Sequence, residues 1–303
     1  MNTLLSLFVD NLLPILLIAA SGFLLGHWLN IDPRSLSRVV FYIFSPCLFF
    51  DLLINSQLSS NDMFRIMGFA VVQMFLIGLI AWLIARALKL DQVTTAAVLL
   101  TTIFMNAGNF GLSLNFFAYG KDALAHASIF FVTMALFAYT GGVAIASLGS
   151  ASIPQTLREL IKVPTIYAAV IAALFITQNW QLPIALERTT SLLSDATIPA
   201  MLVVLGLQLQ KMKRTWEWRT LAIAVSLRLI AAPLLAFVTA SLFALQGTAF
   251  QAGVTEASMP SAVITIVLAT EYNIKPTFVT TIVFASTLLS PLTLTPLMSI
   301  LGA

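Results

Sequence analysis

Charged residues are scarce in this 303-residue chain, and their scarcity limits the class of protein that it can be. Asp, Glu, Lys and Arg together make up 9% of the sequence, whereas hydrophobic residues make up 59%. A typical soluble domain carries about 25% charged residues. A chain with so little polar surface cannot stay in water as a globule, so the composition predicts a protein embedded in a lipid bilayer.

Residues that build metal and catalytic centres are also nearly absent. Cys47 is the only cysteine and there are two histidines, which excludes an internal disulfide and a cysteine-rich metal site. The sequence contains neither an HExxH nor a Walker A motif, so it predicts neither a metalloprotease nor ATP-driven transport by this chain. The net charge of +3 gives no indication of a nucleic-acid partner. We therefore expect a protein that is not an enzyme and that carries no cofactor or metal.

The chain contains many long apolar runs. Ten of them approach the roughly 20 residues that span a bilayer as a helix, and short polar gaps separate them. They lie near 4–28, 36–55, 63–86, 93–118, 123–148, 163–180, 188–210, 217–245, 248–271 and 277–301. The pattern predicts an all-α polytopic membrane protein with ten transmembrane helices. The first run lacks a basic n-region and a small-residue cleavage site, so it is predicted to be a span and not a removable signal.

Basic residues are distributed unequally between the two sets of gaps. Eleven of the fifteen Lys and Arg residues follow odd-numbered runs, three follow even-numbered runs, and Arg228 lies inside a run. Positive charge concentrates in cytoplasmic loops. The distribution therefore predicts that both termini lie on the non-cytoplasmic side of the membrane.

The two halves of the chain resemble each other at a nearly constant offset. The corresponding pairs, 152 or 153 residues apart, are Trp28 and Trp180, Pro46 and Pro199, Tyr119 and Tyr272, and Phe131 and Phe284. Five spans per repeat is an odd number, so the second half must enter the membrane inverted. We predict a five-helix repeat at 1–150 and a second, inverted repeat at 151–303, an organisation found in secondary transporters.

Two of the runs are interrupted by residues that weaken a helix. The motif NAGNFG occupies 106–111 in the fourth run, and Pro260 interrupts the ninth run at the corresponding offset. Glycine, asparagine and proline are poor helix formers, and the N–H groups exposed by a broken helix favour anions. Tight packing of small residues is the alternative explanation for such a motif, and it is the preferred explanation for Gly22 and Gly26.

A matching pair of breaks favours a substrate site over packing. The predicted substrate-binding residues are Asn106, Gly108, Asn109, Gly111, Ser113, Ser258, Pro260, Ser261 and Arg228. Exposed N–H groups and uncharged polar side chains suit a small carboxylate.

Ionisable residues inside membrane spans are functional candidates because they are costly there. Arg228 lies near the middle of the eighth run, and Glu256 precedes Pro260 by four residues. Arg228 is expected either to face an anionic substrate or to pair with Glu256, and the sequence leaves both open. Glu256, Asp195 and Asp51 are the candidates for coupling to protons or sodium ions, with a solvated helix end as the alternative for each aspartate.

At these motifs the sequence resembles the auxin efflux carrier family, in its short bacterial branch. The resemblance is carried by FMNAGNFGL in the fourth run and ASMPSAVITIVLATEYN in the ninth, and it covers essentially the whole chain. It implies a fold similar to that of the bile acid–sodium symporters, with ten helices in a 5+5 inverted repeat and broken helices 4 and 9 crossing at the substrate. It also implies a scaffold at about 4–55 and 163–210, and a sliding transport domain at about 63–148 and 217–301.

The resemblance implies organic anions as substrates, including auxins in plants and dicarboxylates such as malonate in some bacteria. Ala107 and Gly108 stand where plant exporters have a proline, and the long central loop of those exporters is missing. Both departures argue against auxin itself as the substrate.

The expected function is therefore secondary transport of small organic anions across the cell membrane by an elevator-type mechanism. A sodium-coupled symporter of the bile-acid type and a membrane ligand sensor that moves nothing are the alternatives. The expected partners are the anion, the lipid bilayer, a proton or sodium ion, and a second copy in a homodimer.

Overall fold

The computed structural model describes residues 2–55, 59–147, 163–210 and 217–303. These residues form helices joined by short connections, and within them the only extended pairing is one isolated bridge. Five of the basic residues used to predict the topology lie outside the described residues: Arg158, Lys162, Lys211, Lys213 and Arg214. The predicted boundary between the repeats, near 150, lies outside them as well.

Eleven helical segments make up the described chain. They are α1 Leu4–Leu29, α2 Pro33–Asn55, α3 Ser60–Ala87, α4 Gln92–Ile103, α5 Ala107–Ala146, α6 Pro164–Thr177, α7 Ile184–Gln210, α8 Trp218–Leu242, α9 Gly247–Ala257, α10 Ile264–Glu271 and α11 Pro276–Leu301. Segments α1, α2, α5 and α8 contain wider, π-helical turns, of which Ala107–Leu112 and Leu227–Ala231 lie next to the breaks described below.

Seven of the described segments are long and apolar enough to cross a membrane: α1, α2, α3, α5, α7, α8 and α11. Segment α5 has 40 residues, about 60 Å at 1.5 Å per residue and twice the thickness of the hydrocarbon layer. Gly120 interrupts it with φ 81° and ψ −166°, which is not helical. The chain is thus an all-helical, polytopic integral membrane protein.

Helices α1 and α7 are in backbone contact along a row of glycines. A methyl group added at Gly22 would overlap the carbonyl of Val203, and one added at Gly206 would overlap the carbonyl of Ala19. Such close approach maximises van der Waals packing, which drives helix association in lipid. The packing role predicted for Gly22 and Gly26 is confirmed, since Gly26 faces the Leu207 side chain.

Two polar contacts join connections between helices. Lys275 forms a 3.0 Å ion pair with Glu217, which joins the start of α11 to the start of α8. The Arg65 side chain donates to the carbonyl oxygen of Ala244 at 3.4 Å, which joins the start of α3 to the end of α8. Each contact joins two connections that the ten-run prediction from the sequence places on the same side of the membrane.

Candidate functional site

The helical backbone is interrupted at both places that the sequence predicts, at NAGNFG and at Pro260. Segment α4 ends at Ile103, Phe104 is extended at φ −95° and ψ 114°, and helical backbone resumes at Ala107. The second interruption separates the end of α9 at Ala257 from the start of α10 at Ile264. Each interruption frees backbone groups, and inside a bilayer such groups must be satisfied by the protein or must line a water-filled cavity.

The two breaks satisfy each other through backbone hydrogen bonds. The amide of Asn106 donates to the carbonyl of Pro260 at 2.7 Å, and the amide of Ala262 donates to the carbonyl of Phe104 at 2.9 Å. Met105 and Ser261 thereby form an antiparallel bridge. The predicted site residue Asn106 is therefore adjacent to Pro260 and Ser261, although it lies more than 150 residues from them in the chain.

Serine hydroxyls form hydrogen bonds with backbone groups at the second break. The hydroxyl of Ser261 donates to the carbonyl of Thr101 at 2.7 Å, and the amide of Ser261 donates to the hydroxyl of Ser286 at 3.1 Å. The hydroxyl of Ser258 donates to the carbonyl of Val254 at 2.6 Å. Both Ser258 and Ser261 are fully buried, so their polar groups are occupied by the protein.

Arg228 connects the C-terminal ends of the two broken helices. It is fully buried, and its guanidinium donates to the carbonyl of Thr102 at 2.8 Å and to the carbonyl of Ala257. Thr102 and Ala257 lie in the last turns of α4 and α9, where the helix dipole is negative. In the described residues Arg228 forms no ion pair with Glu256, so the pairing alternative from the sequence is not what the structure contains.

A cavity of about 840 Å³ lies beside the first break. Its lining includes Asn106, Gly108 and Asn109 and, at its solvent-exposed rim, Arg34 and Arg38 from α2. The side-chain amide nitrogen of Asn106 has no hydrogen-bond partner among the described residues. The cavity thus joins a basic rim to an unsatisfied donor at the start of a helix.

Apolar and aromatic side chains form most of the remaining wall. Phe41 and Tyr42 of α2, Phe131 and Tyr139 of α5, and Ala262 and Val263 of the second break belong to it. A carboxylate at Asn106 would therefore have hydrophobic surface beside it. This arrangement accommodates an anion with an apolar body.

The predicted binding residues fall into two groups. Asn106, Gly108 and Asn109 line the cavity, whereas Gly111, Ser113, Ser258, Pro260, Ser261 and Arg228 are not part of its lining. Ser113 instead donates to the carbonyl of Asn109 at 3.2 Å. The second group supports the breaks and the first group faces the open space.

The coupling candidates lie in two separate places. Asp51 is half-buried near Asp195 and Lys121, and its carboxylate accepts a 3.1 Å hydrogen bond from Asn55. Glu256 is fully buried, and its Oε1 accepts a hydrogen bond from the amide nitrogen of Asn115 at 3.0 Å. Neither group lines the cavity.

Sequence reasoning missed several residues that the structure brings to these places. Arg34 and Arg38 were counted only as topology signals, yet they lie at the rim of the cavity. Asn115 was overlooked as the partner of Glu256, from which it is 141 residues distant. A signal for Asn115 was present, because an asparagine four residues after Gly111 lies on the same helix face.

Comparison with known proteins identifies what the chain is similar to. It matches the family described as "Membrane transport protein" over residues 7–153 and 149–298. An uncharacterized transporter of Methanothermobacter thermautotrophicus is 29% identical over 297 residues, covering 96% of this chain and 97% of the relative. An uncharacterized transporter of Methanocaldococcus jannaschii is 26% identical over 299 residues, covering 93% of this chain and 95% of the relative.

A plant protein is also similar over part of its length. Auxin efflux carrier component 8 of Arabidopsis thaliana is 28% identical over 144 residues, which covers 45% of this chain and 39% of the relative. The resemblance found in the two break motifs is thereby confirmed. The chain belongs to the membrane transport protein family that includes the auxin efflux carriers.

Proposed function

We propose that the chain is a secondary transporter of small organic anions, with the substrate bound where α4 is interrupted before α5. One observation carries the proposal: Asn106, whose buried side-chain amide nitrogen has no partner among the described residues, lines a cavity at the start of a helical segment. The N-terminal end of a helix is an anion site because its free N–H groups and its dipole both favour negative charge. A carboxylate fits this place better than a cation or an uncharged molecule.

The route to this position also favours anions. Arg34 and Arg38 are exposed at the rim of the cavity, where Glu271 is the carboxylate among the lining residues. Fixed positive charge at the entrance of a cleft raises the local concentration of anions. The auxin efflux carriers named among the relatives agree with an organic anion as the substrate class.

The proposed architecture has ten spans in a 5+5 inverted repeat. The fourth span would consist of α4 and the part of α5 before Gly120, the fifth span of the part of α5 after Gly120, and the ninth span of α9 and α10. The broken spans would cross at the bridge between Met105 and Ser261. Both termini would then lie on the non-cytoplasmic side of the cell membrane.

The proposed motion is an elevator-type, alternating-access movement. The scaffold would comprise α1, α2, α6 and α7, and the transport domain the other segments. Backbone contact between α1 and α7 at Gly22 and Gly206 supports a rigid scaffold. The scaffold is also the surface that we assign to a homodimer.

Charge movement in proteoliposomes, measured by solid-supported-membrane electrophysiology, tests this function. Monocarboxylates, dicarboxylates and indole acids would be applied to the wild type, to Asn109→Ala and to the exposed control Asn61→Ala. A carboxylate-dependent current in the wild type and the control, absent in Asn109→Ala, is the expected result. Radiolabelled counterflow tests for electroneutral exchange.

If a carboxylate bound but produced neither current nor counterflow, the protein would be a ligand sensor and not a transporter. A current that requires sodium at constant pH would favour the sodium-coupled symporter.

A further inference from the structure

Glu256 is the buried acid that the proposed substrate site does not use. It lies one residue before the end of α9 and is fully buried. Its Oε1 accepts from Asn115, whereas its Oε2 has no hydrogen-bond partner among the described residues. A methyl group added at Gly111 would overlap this carboxylate, so the acid lies directly against the helix backbone at that glycine.

The positive charge of Arg228 does not balance Glu256. The two groups form no ion pair within the described residues, because the guanidinium is hydrogen-bonded to the carbonyls of Thr102 and Ala257. Each helix C-terminus carries roughly half a negative charge, so the ends of α4 and α9 together offset about one positive charge. An ionised Glu256 would be left uncompensated, near the negative end of its own helix, and such an uncompensated buried charge is strongly unfavourable.

Other titratable groups on the neighbouring segments are neutral, distant or, like Lys121 and Asp122 of α5, exposed. Tyr119 of α5 faces Thr255 and is neutral at physiological pH. The ionisable side chains Asp62 and Arg65 of α3 and His126 of α5 lie with the N-terminal end of α9, about 13 Å from Glu256 at 1.5 Å per residue. Segment α11 carries no ionisable side chain within Pro276–Leu301, and α8 contributes Arg228.

We propose that Glu256 is the proton-binding site that couples transport to the proton gradient. The carboxylate takes up one proton at Oε2 from water on the side to which the transport domain is open, and returns it on the other side. Asn115 suits both states, because its amide can donate to the carboxylate or accept from the carboxylic acid. A proton needs one oxygen atom, whereas hard metal cations take about six oxygen ligands, and Gly111 and Asn115 already surround the carboxylate.

The wide turn Ala107–Leu112 links this proton to the substrate, a link that rests on the proposed function. Gly108 and Asn109 of the turn face the cavity, and Gly111 faces Glu256. A negative charge at Glu256, on the order of 10 Å from an anion at Asn106, would lower anion affinity roughly tenfold at an effective dielectric of about 20. Protonation removes this repulsion, so anion and proton bind together and are carried as a symport.

The first test needs no substrate. The melting temperature of the purified protein would be measured from pH 6 to pH 9 in sodium-free buffer, with the carbonyl-stretch band of a protonated carboxyl group recorded by infrared spectroscopy. The wild type should lose a few degrees as pH rises and should lose the band at the same pH. Glu256→Gln should lack both changes, and the exposed control Glu187→Gln should keep them.

A wild type without the pH-dependent band would overturn the proton site, whatever the variants do. A band that persists unchanged in Glu256→Gln would overturn its assignment to Glu256. If sodium at constant pH removes the band and raises the melting temperature, a sodium ion occupies the site and the proton proposal is wrong.

The second test uses transport and separates the two proposals. Uptake of each radiolabelled carboxylate of the panel would be measured with and without a pH gradient, because a monocarboxylate carried with one proton moves no net charge. Uptake that the gradient drives in the wild type and not in Glu256→Gln supports proton symport. Uptake that ignores the gradient overturns the coupling and leaves the transporter standing. A wild type that keeps the infrared band and transports no anion overturns the transporter alone.

Discussion

The two helix breaks occupy similar positions in the two halves of the chain, but they are used differently. The first break presents Asn106 and Asn109 to the cavity, and the side-chain amide nitrogen of Asn106 has no partner among the described residues. The second break is closed by Ser258 and Ser261, whose hydroxyls donate to carbonyls inside the protein. Membrane helices can thus be broken either to leave a donor unpaired or to hold another break in place. In the proposed function, the first break binds the substrate and the second supports the first.

Removing Arg228 should affect both breaks at once and give the largest effect. Arg228→Met leaves the buried carbonyls of Thr102 and Ala257 without their shared donor, and each buried group left unsatisfied typically costs about 1–3 kcal/mol. We expect little folded protein by size-exclusion chromatography and a strongly lowered melting temperature. Arg219→Met, at an exposed position in α8, is the matched control. Normal stability of Arg228→Met would show that the two helix ends do not need this charge.

A methyl group at Gly111 should disturb the first break from its buried side. Gly111→Ala would overlap the Glu256 carboxylate, which Asn115 holds in place, and such overpacking typically costs about 1–3 kcal/mol. Gly108→Ala is the comparison, because its methyl group would meet the ring of Phe131, which can shift into the cavity. Thermal unfolding should rank Gly111→Ala as the more destabilised, and the reverse order would contradict this packing.

Asn109→Ala should affect transport and not stability, whereas Ser261→Ala should affect stability and not KM. Asn109→Ala should lower transport tenfold or more, equivalent to about 1.4 kcal/mol, with little change in melting temperature. Ser261→Ala removes the donor to Thr101 and should lower the free energy of unfolding by about 1 kcal/mol, with KM unchanged in folded protein. If Ser261→Ala raised KM and left stability intact, the two breaks would share the binding role.

The start of α4 offers a comparison with its broken end. Asp91 caps this start by accepting from the amide of Thr94 at 2.9 Å, so Asp91→Ala should cost about 1 kcal/mol or less in thermal unfolding. Hydrogen bonds from the side chain and backbone of Thr94 hold the pKa of Asp91 below its ordinary value. Its contribution is therefore complete above the ordinary aspartate pKa and is lost as pH falls through the lowered one. Asp91→Ala should therefore lose less stability than the wild type as pH falls. An unchanged dependence of stability on pH would contradict the cap.

Replacing an arginine at the rim should have the smallest effect, because the rim is exposed to solvent. Arg34→Gln should raise KM for the transported anion two- to threefold, roughly 0.5 kcal/mol, at low ionic strength. The difference should disappear near 0.5 M salt because screening removes steering by exposed charge. Uptake kinetics at two salt concentrations measure it, with Arg219→Gln as the control. A salt-independent change in KM would indicate direct contact between Arg34 and the substrate.

Features that depend on local sequence could be predicted, and features that depend on long-range geometry could not. The interruptions at NAGNFG and at Pro260 follow from the weak helix propensity of those residues, and the contact at Gly22 follows from small-residue packing. The partners of Arg228 are backbone carbonyls 126 and 29 residues away. Backbone carbonyls carry no sequence signal, so a carboxylate partner was the natural expectation.

The lining of the cavity could likewise be predicted only in part. Asn106, Gly108 and Asn109 were predicted and lie in its lining, but Ser258 and Ser261, which were predicted beside the second break, lie outside it. The difference depends on which break is covered by other helices, and only the folded arrangement determines that. Arg34 and Arg38 had a sufficient explanation as topology signals, so their place at the rim was not anticipated.

The bridge between Met105 and Ser261 also bears on how such a chain can be divided. Two backbone hydrogen bonds join the first half of the chain to the second, and each half supplies one donor and one acceptor. In lipid, neither half could satisfy those groups alone. If the two halves were expressed as separate polypeptides, each should be degraded by itself and stable only when both are made together. In the proposed 5+5 architecture, an ancestral protein with one repeat would therefore have had to work as a pair.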